Sequence, residues 1–215
     1  MKKKIAIIGG IGTARNIIFQ IQDAIKKYNY NIEIAGIIID KPELLSNMPK
    51  YEVLGYTSDI KKLLENTDLY FVFCLYRMDL MKERWDLLLS YRIPESRLIN
   101  FFHPLSYVCE NIKTGTGNII LSNSSIQSNV VLGTGNIINS NVTIEHDTLI
   151  GNGCFISANA CIGAGVSIGN NCFIGLNSSI RENTVIGNNV FVGMHSLVID
   201  NAENCKLAGI PAKKI

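Results

Sequence analysis

The sequence is poor in the features that usually declare a function at once. Its six cysteines, Cys74, Cys109, Cys154, Cys161, Cys172 and Cys205, include no CxxC pair, and histidine occurs only at His103, His146 and His195. The longest apolar run, Leu69 to Tyr76, falls far short of the ~20 residues that cross a bilayer. Ile5 to Ile8, behind three lysines, is too short for a signal-peptide core, so a cytoplasmic chain with no membrane partner is expected. The net charge is only +2, and no basic stripe with interleaved aromatics is present, which argues against a nucleic-acid partner.

Charge is unevenly spread. Residues 1–102 hold 15 of the 20 Lys and Arg and 12 of the 18 acidic residues, so the second half is almost uncharged. Two domains of different surface character are expected, 1–102 and 103–215. The 47% hydrophobic content is enough for a sizeable core.

What is abundant is periodic. From Ile120 to Val198 an aliphatic residue returns every six positions: Ile120, Ile126, Leu132, Ile138, Ile144, Ile150, Ile156, Ile162, Ile168, Ile174, Ile180, Ile186, Val192 and Val198. Four places after most of these stands a small or β-branched residue, among them Val130, Val142, Thr148, Cys154, Ala160, Val166, Cys172 and Ser178. A period of six is neither helical nor simple alternation, so it marks a short strand plus a turn that buries its stripe by stacking. Three such units close a triangular coil. Ile150-Gly151-Asn152, Ile168-Gly169-Asn170 and Ile186-Gly187-Asn188 repeat at the coil spacing, which predicts an asparagine ladder along one edge, with Gly and Asn at left-handed corners. Cys154 and Cys172 then stack on neighbouring coils, as two core fillers in a reducing compartment or as a disulfide or metal pair.

The first half reads differently. Lys4 to Ile8 is a short strand, Gly9-Gly10-Ile11-Gly12 a glycine loop, and Thr13 to Tyr28 a helix with apolar residues at Ile17, Ile18, Ile21, Ala24 and Ile25. That order puts backbone N–H groups and a helix N-terminus where a phosphate would bind, although a tight turn packing a helix on a sheet uses the same residues. Ile32 to Ile39 is a second strand ending at Asp40, placed to meet a ribose or base. A short helix over Ser58 to Leu64, a strand over Leu69 to Leu75, a helix over Asp79 to Tyr91 and a last strand over Arg97 to Phe102 complete an α/β domain with a parallel sheet. The hexads then begin after a ragged lead-in through Lys113 to Asn118.

A glycine-rich α/β domain, the junction His103-Pro104, hexads with a corner Ile144-Glu145-His146-Asp147, and a terminal Gly209-Ile210-Pro211-Ala212-Lys213 together resemble the sialic acid O-acetyltransferase family of hexapeptide-repeat acyltransferases. That family includes sugar-nucleotide N-acetyltransferases of bacterial glycan synthesis, such as the bacillosamine and perosamine enzymes. The resemblance implies a Rossmann-like N-terminal domain on a left-handed parallel β-helix, a homotrimer with sites between subunits, and acetyl-CoA as co-substrate without a metal. It implies transfer of acetyl to an amino-sugar, nucleotide-linked, for surface glycan synthesis, with sialic acid or another sugar O-acetylated as the alternative.

His146 is an outward corner residue flanked by two carboxylates, a setting suited to proton acceptance near neutral pH; a solvated loop histidine is the plain alternative. The resemblance makes His146 the general base and Asp147 the residue that raises its basicity. One coil beyond His146, roughly 4.8 Å along the axis, lies Ala164 between Gly163 and Gly165, where backbone could approach a thioester and its N–H meet the oxyanion; small residues at a tight corner explain the same pattern. The resemblance gives the acetyl carbonyl to the Ala164 N–H. Where several relatives carry a second histidine against acetyl-CoA or acceptor, Phe155 stands, so that contact is lost or replaced. Gly10, Ile11, Gly12 and Thr13, followed by Ala14, depart from the Gly-x-x-Gly-His-Gly of the family loop, while Asp40 and Lys41 match positions that contact the nucleotide. His103 reads as a turn residue beside Pro104, and His195 cannot lie on the edge of His146. A zinc lyase sharing the β-helix would need three converging histidines, which these spacings do not give. A non-catalytic sugar-nucleotide-binding scaffold is the remaining reading, and no constellation for hydride transfer follows the glycine loop.

Overall fold

The computed structural model describes residues 2–45 and 51–215. The chain begins with β1 (Lys3–Ile8), α1 (Thr13–Tyr28), β2 (Ile32–Ile38), β3 (Val53–Gly55), α2 (Ile60–Leu63), β4 (Leu69–Phe73) and α3 (Met81–Ser90). All four strands are parallel, in the order β3-β2-β1-β4. Helix α1 spans the expected residues because its apolar residues fall on one face: Ala14, Ile17, Ile18, Ile21 and Ala24 are buried. It stops at Asn29, which adopts the left-handed conformation and returns its N–H to Ala24 O, with Lys26 and Lys27 in the last turn.

From Phe101 the backbone winds into a parallel β-helix. Its strands are two residues long, and each pairs with the strand eighteen residues on, as in Ile119↔Ile137↔Phe155↔Phe173↔Phe191. The strands form three sheets. Face A carries Phe101, Ile119, Ile137, Phe155, Phe173 and Phe191 outward; face B carries Tyr107, Ser125, Thr143, Cys161, Ser179 and Leu197; face C carries Lys113, Val131, Leu149, Ser167 and Val185. The predicted inward stripe, Ile120 to Val198 at six-residue spacing together with Val130, Val142, Cys154, Ala160, Val166, Cys172 and Val190, forms one continuous core. Cys154 and Cys172 stack in it as reduced, buried thiols, each Sγ donating to a carbonyl of the next coil, Gly169 O and Gly187 O.

Three expectations need correction. The strand expected over Arg97 to Phe102 does not join the α/β sheet beyond a single bridge from Leu98 to Phe71; Phe101 and Phe102 are already the first strand of face A. The β-helix therefore starts before residue 103, and two further strands precede the regular hexads: Tyr107–Val108 and, within the ragged lead-in, Lys113–Thr114. Polar Lys113 and Thr114 hid the period because an end coil has one solvent-facing side. The left-handed residues are not Asn152, Asn170 and Asn188 but those that follow, Gly153, Asn171 and Asn189. Beyond the last hexad, Lys206–Gly209 extends face A and pairs antiparallel with Ala212–Lys214, closing the open end.

The α/β unit sits on face A. Ile17, Ile18 and Ile21 of α1 share a core with Phe101, Ile119, Leu121 and Ile137. At one margin Gln20 donates to Ser140 Oγ and accepts from Ser122 N; at the other Trp85 of α3 lies over Gly135 and Gly153, where a Cβ would stand 2.9 and 3.1 Å from the indole. Seated this way, the domain reaches two corners of the prism, at Ser122 and Ser140 and at Gly135 and Gly153, and makes no such contact at the third.

Candidate functional site

The third corner, between faces B and C, contains His146. Ile144 is buried and turns the chain outward, Glu145 N donates to Ile162 O of the next coil, and Asp147 takes the left-handed conformation (φ 60°). An acidic side chain tolerates that conformation where a larger L-residue would be strained. His146 Nδ1 lies 2.7 Å from Asp147 Oδ2, and both side chains are more than half exposed. The His146 ring and then the Asn129 amide hold the Asp147 carboxyl below its ordinary range. An ionised carboxylate only accepts, so Nδ1 carries the proton and donates it, which leaves the Nε2 lone pair to take a proton from outside.

One coil on, Gly165 N donates to His146 O and Asn183 N to Ala164 O, each at 2.9 Å, so Ala164 is stacked directly on His146. The flanking glycines have structural reasons of their own. A Cβ on Gly163 would stand 2.6 Å from Glu182 N, and Gly165 has φ +65°. Unlike those of its glycine neighbours, the Ala164 N–H has no partner among the described residues, and the same holds for Ser128, His146 and Glu182 along this corner.

The predicted nucleotide loop lies at the carboxyl ends of β1 and β2. Gly12 caps α1 with φ 58° and ψ −126°, no side chain caps the helix, and its first turn has no acidic residue. The N–H groups of Ile11, Gly12 and Thr13 have no partner among the described residues, and Ile11 is exposed. Gly10 is explained by packing, since a Cβ there would stand 2.7 Å from Leu45. Asp40 is engaged within the fold: Oδ1 accepts from Thr57 N (2.7 Å) and Oδ2 from Thr57 Oγ1 (3.0 Å). Lys41 is exposed beside it.

One chain does not bring these groups together. Phe155, nine residues after His146, is half a coil away and therefore on face A, opposite the His146 corner. There it packs on Tyr76 and starts a ring stack with Phe173 and Phe191, at centroid distances of 5.6 and 5.0 Å. The outer part of this stack floors a cavity of about 450 Å³ whose rim includes Met78, Lys82, Asn189 and Lys206. His103 is buried against Tyr28, Phe101 and Asp23, which makes it a junction residue, and His195 occupies a left-handed corner beside Asn177. Among the described residues no group of three His, Cys, Asp or Glu side chains converges as a metal site, and no helix is long and apolar enough to cross a membrane. The sequence reading passed over Asn129, the partner of Asp147, although it stands one coil spacing before it. It also passed over the Phe173–Phe191 stack, which shares the register of Phe155.

A family model described as bacterial transferase hexapeptide (six repeats) matches residues 147–182 and 166–200. No curated protein matches in sequence. Among solved structures, the acetyltransferase domain of PglB from Neisseria gonorrhoeae FA1090 is similar over 100% of both chains, with a TM-score of 0.85 and 21% identity, and has also been solved with acetyl coenzyme A. PerB from Caulobacter crescentus, solved with CoA and GDP-perosamine, is similar over 99% of this chain and 97% of its own (TM-score 0.84, 23% identity). WeeI from Acinetobacter baumannii AYE is similar over 98% and 99% (TM-score 0.78, 18% identity). These likenesses span both halves of the chain and establish the fold.

Proposed function

We propose that this chain is an acetyl-CoA-dependent sugar acetyltransferase that acetylates an amino-sugar carried on a nucleotide, in bacterial surface glycan synthesis. The observation that carries the reading is the His146 corner: an imidazole oriented by Asp147, with an unused N–H at Ala164 one coil away. The likeness to the PglB acetyltransferase domain and to PerB, each solved with a coenzyme A species, supports it. In this reading the coil has the left-handed sense of hexapeptide acyltransferases, and the four-stranded parallel sheet with its glycine loop is a Rossmann-like nucleotide-binding domain.

The chemistry follows from the corner. The acceptor amine attacks the thioester carbonyl carbon and gives its proton to His146 Nε2, while Asp147 steadies the imidazolium and the Ala164 N–H receives charge developing on the carbonyl oxygen. The C–S bond then breaks, and CoA leaves as a thiolate that takes up a proton. A hydroxyl acceptor would use the same groups, so O-acetylation of sialic acid or another sugar is decided by the acceptor. The N–H groups of Gly10 to Thr13 hold the diphosphate at the start of α1. Asp40 and Lys41 meet the nucleotide, with Asp40 spending part of its capacity on Thr57.

Because His146 and Phe155 lie on opposite sides of one prism, a site containing both needs two copies. We place the His146 corner of one copy against the Phe155–Phe173–Phe191 stack of the next, in a homotrimer working in the cytoplasm. Acetyl-CoA then runs along the rings, with Lys82 and Lys206 toward its phosphates. The division of labour is nucleotide binding by the α/β domain and acyl transfer by the β-helix, which begins at Phe101.

The test is thiol release from acetyl-CoA with a panel of 4-amino-sugar nucleotides and sialic acid, for wild type and His146→Ala. Turnover on one acceptor, reduced ~100-fold or more in the variant, is expected for loss of a general base. A folded wild-type protein that neither turns over nor binds CoA would sink the reading and leave a sugar-nucleotide-binding scaffold.

A further inference from the structure

We infer that Asn129 is a positioning residue: its side-chain amide, one coil before the His146–Asp147 pair, sets the Asp147 carboxylate in the orientation that keeps the imidazole in its Nδ1–H form. This rests on the reading of His146 as general base.

The inference comes from a directional chain of hydrogen bonds along the corner. Asn129 is clamped from below at two points: Asn111 Nδ2 donates to Asn129 Oδ1 (2.9 Å), and Asn129 N donates to Asn111 Oδ1 (3.1 Å). With its oxygen engaged below, the amide must present Nδ2 upward, and Nδ2 donates to Asp147 Oδ1 at 2.9 Å. The carboxylate is thereby fixed by one oxygen, and the other lies 2.7 Å from His146 Nδ1. Asparagine ladders elsewhere in the molecule pass from amide to amide, as in Asn171 Nδ2 to Asn189 Oδ1 (3.4 Å) and Asn189 Nδ2 to Asn204 Oδ1 (3.1 Å). Here the ladder must end, because Asp147 has no proton to donate onward and the next corner residue, Gly165, has no side chain to receive one. The one corner ladder in this set that terminates on a charge therefore terminates beside a histidine. The same amide helps hold the Asp147 carboxyl in its ionised range.

The consequence concerns which ring nitrogen is free. Without the Asn129 donor, the carboxylate is free to rotate about χ2 and solvate, and the neutral imidazole relaxes toward the Nε2–H form preferred by free histidine. That places the proton on the nitrogen that should accept one. Asn129→Asp is the incisive variant, since it keeps size and the left-handed conformation (φ 59°) but replaces the donor by an acceptor. Asn129→Gly is the second variant, and Asn141→Gly, at an exposed left-handed position on the neighbouring corner, is the control.

The measurement is two-bond ¹H–¹⁵N correlation of the histidine rings at alkaline pH on the full-length chain, with His146→Ala identifying the His146 signals. It needs no acceptor. Wild type and Asn141→Gly should show His146 as Nδ1–H, and both Asn129 variants should shift it toward Nε2–H while His103 and His195 stay unchanged. With an acceptor in hand, Asn129→Asp should lower kcat about tenfold at unchanged KM for acetyl-CoA, the scale of losing an orienting partner. A His146 tautomer that is identical in wild type and Asn129→Asp, or already Nε2–H in wild type, overturns the inference. Full turnover by His146→Ala would instead overturn the general-base reading, so the two failures are distinguishable.

Discussion

The two corners that bound face C are built on the same backbone and use it in opposite ways. At the asparagine corner each outward N–H is closed by a side chain from the next coil: Thr134 N donates to Asn152 Oδ1 (2.8 Å), Asn152 N to Asn170 Oδ1 (2.7 Å) and Asn170 N to Asn188 Oδ1 (2.7 Å). At the histidine corner the equivalent N–H groups of Ser128, His146, Ala164 and Glu182 have no partner among the described residues. A β-helix corner is therefore a donor site by default, and side-chain amides close it at the asparagine corner. Leaving a row of donors uncapped costs little while water reaches them and becomes useful once a ligand displaces that water.

The largest effect that would break this contrast comes from Ala164→Pro. Proline removes the N–H, on which no hydrogen bond among the described residues depends. We expect kcat to fall by about two orders of magnitude, the scale of deleting one oxyanion donor, with CoA affinity by calorimetry within a few-fold of wild type. Retained kcat would return Ala164 to the status of a small corner residue, a role its glycine neighbours already fill.

At the asparagine corner the same logic predicts the reverse. Asn170→Ala deletes the acceptor for Asn152 N and leaves Asn170 N free to keep its bond to Asn188. A loss of about 1 kcal/mol in unfolding free energy is expected for one partly exposed hydrogen bond, read by urea titration, with kcat unchanged. A large loss of activity at unchanged stability would mean that this corner is also part of the site.

The contrast also explains what could be read in advance. The period of six fixes the coil, and the coil spacing alone leads from His146 to Ala164, so a site spread over two coils was visible without coordinates. It pointed equally to Asn129, one spacing before Asp147, but the hydrogen bonds that give that residue a role depend on how its amide is turned. Buried polar residues escaped for a different reason. Asn118, Asn136 and Ser124 occupy core positions yet read as breaks in the pattern, because only coordinates show Asn136 Nδ2 satisfied by Asn118 Oδ1 and Gly151 O. The placement of Phe155 against its own α/β domain was also hidden, since it depends on which face α1 covers, and no periodicity within either half encodes the docking of one on the other. Asp40 was legible as a residue at a strand end, but not as one already bonded to Thr57.

The smallest expected effect contrasts two of the three histidines. His146 is exposed and paired, whereas His103 is buried at the domain junction, 3.7 Å from Asp23 and edge-on to Tyr28 and Phe101. Burial lowers the affinity of His103 for a proton below the usual 6.5, an effect the nearby Asp23 carboxylate only partly offsets. The unfolded chain therefore binds a proton near pH 6.5 that the folded chain resists, so stability is fully present above that pH and declines as the pH falls through 6.5 toward the depressed folded value. Thermal unfolding of wild type and His103→Gln across this range should show a shallow decline in Tm that the variant reduces, because Gln can accept from Leu105 N as His103 Nδ1 does but cannot take up a proton. Equal slopes in wild type and His103→Gln would mean that the Asp23 carboxylate compensates for burial more fully than the geometry implies, and that the domain junction is insensitive to the charge of its histidine.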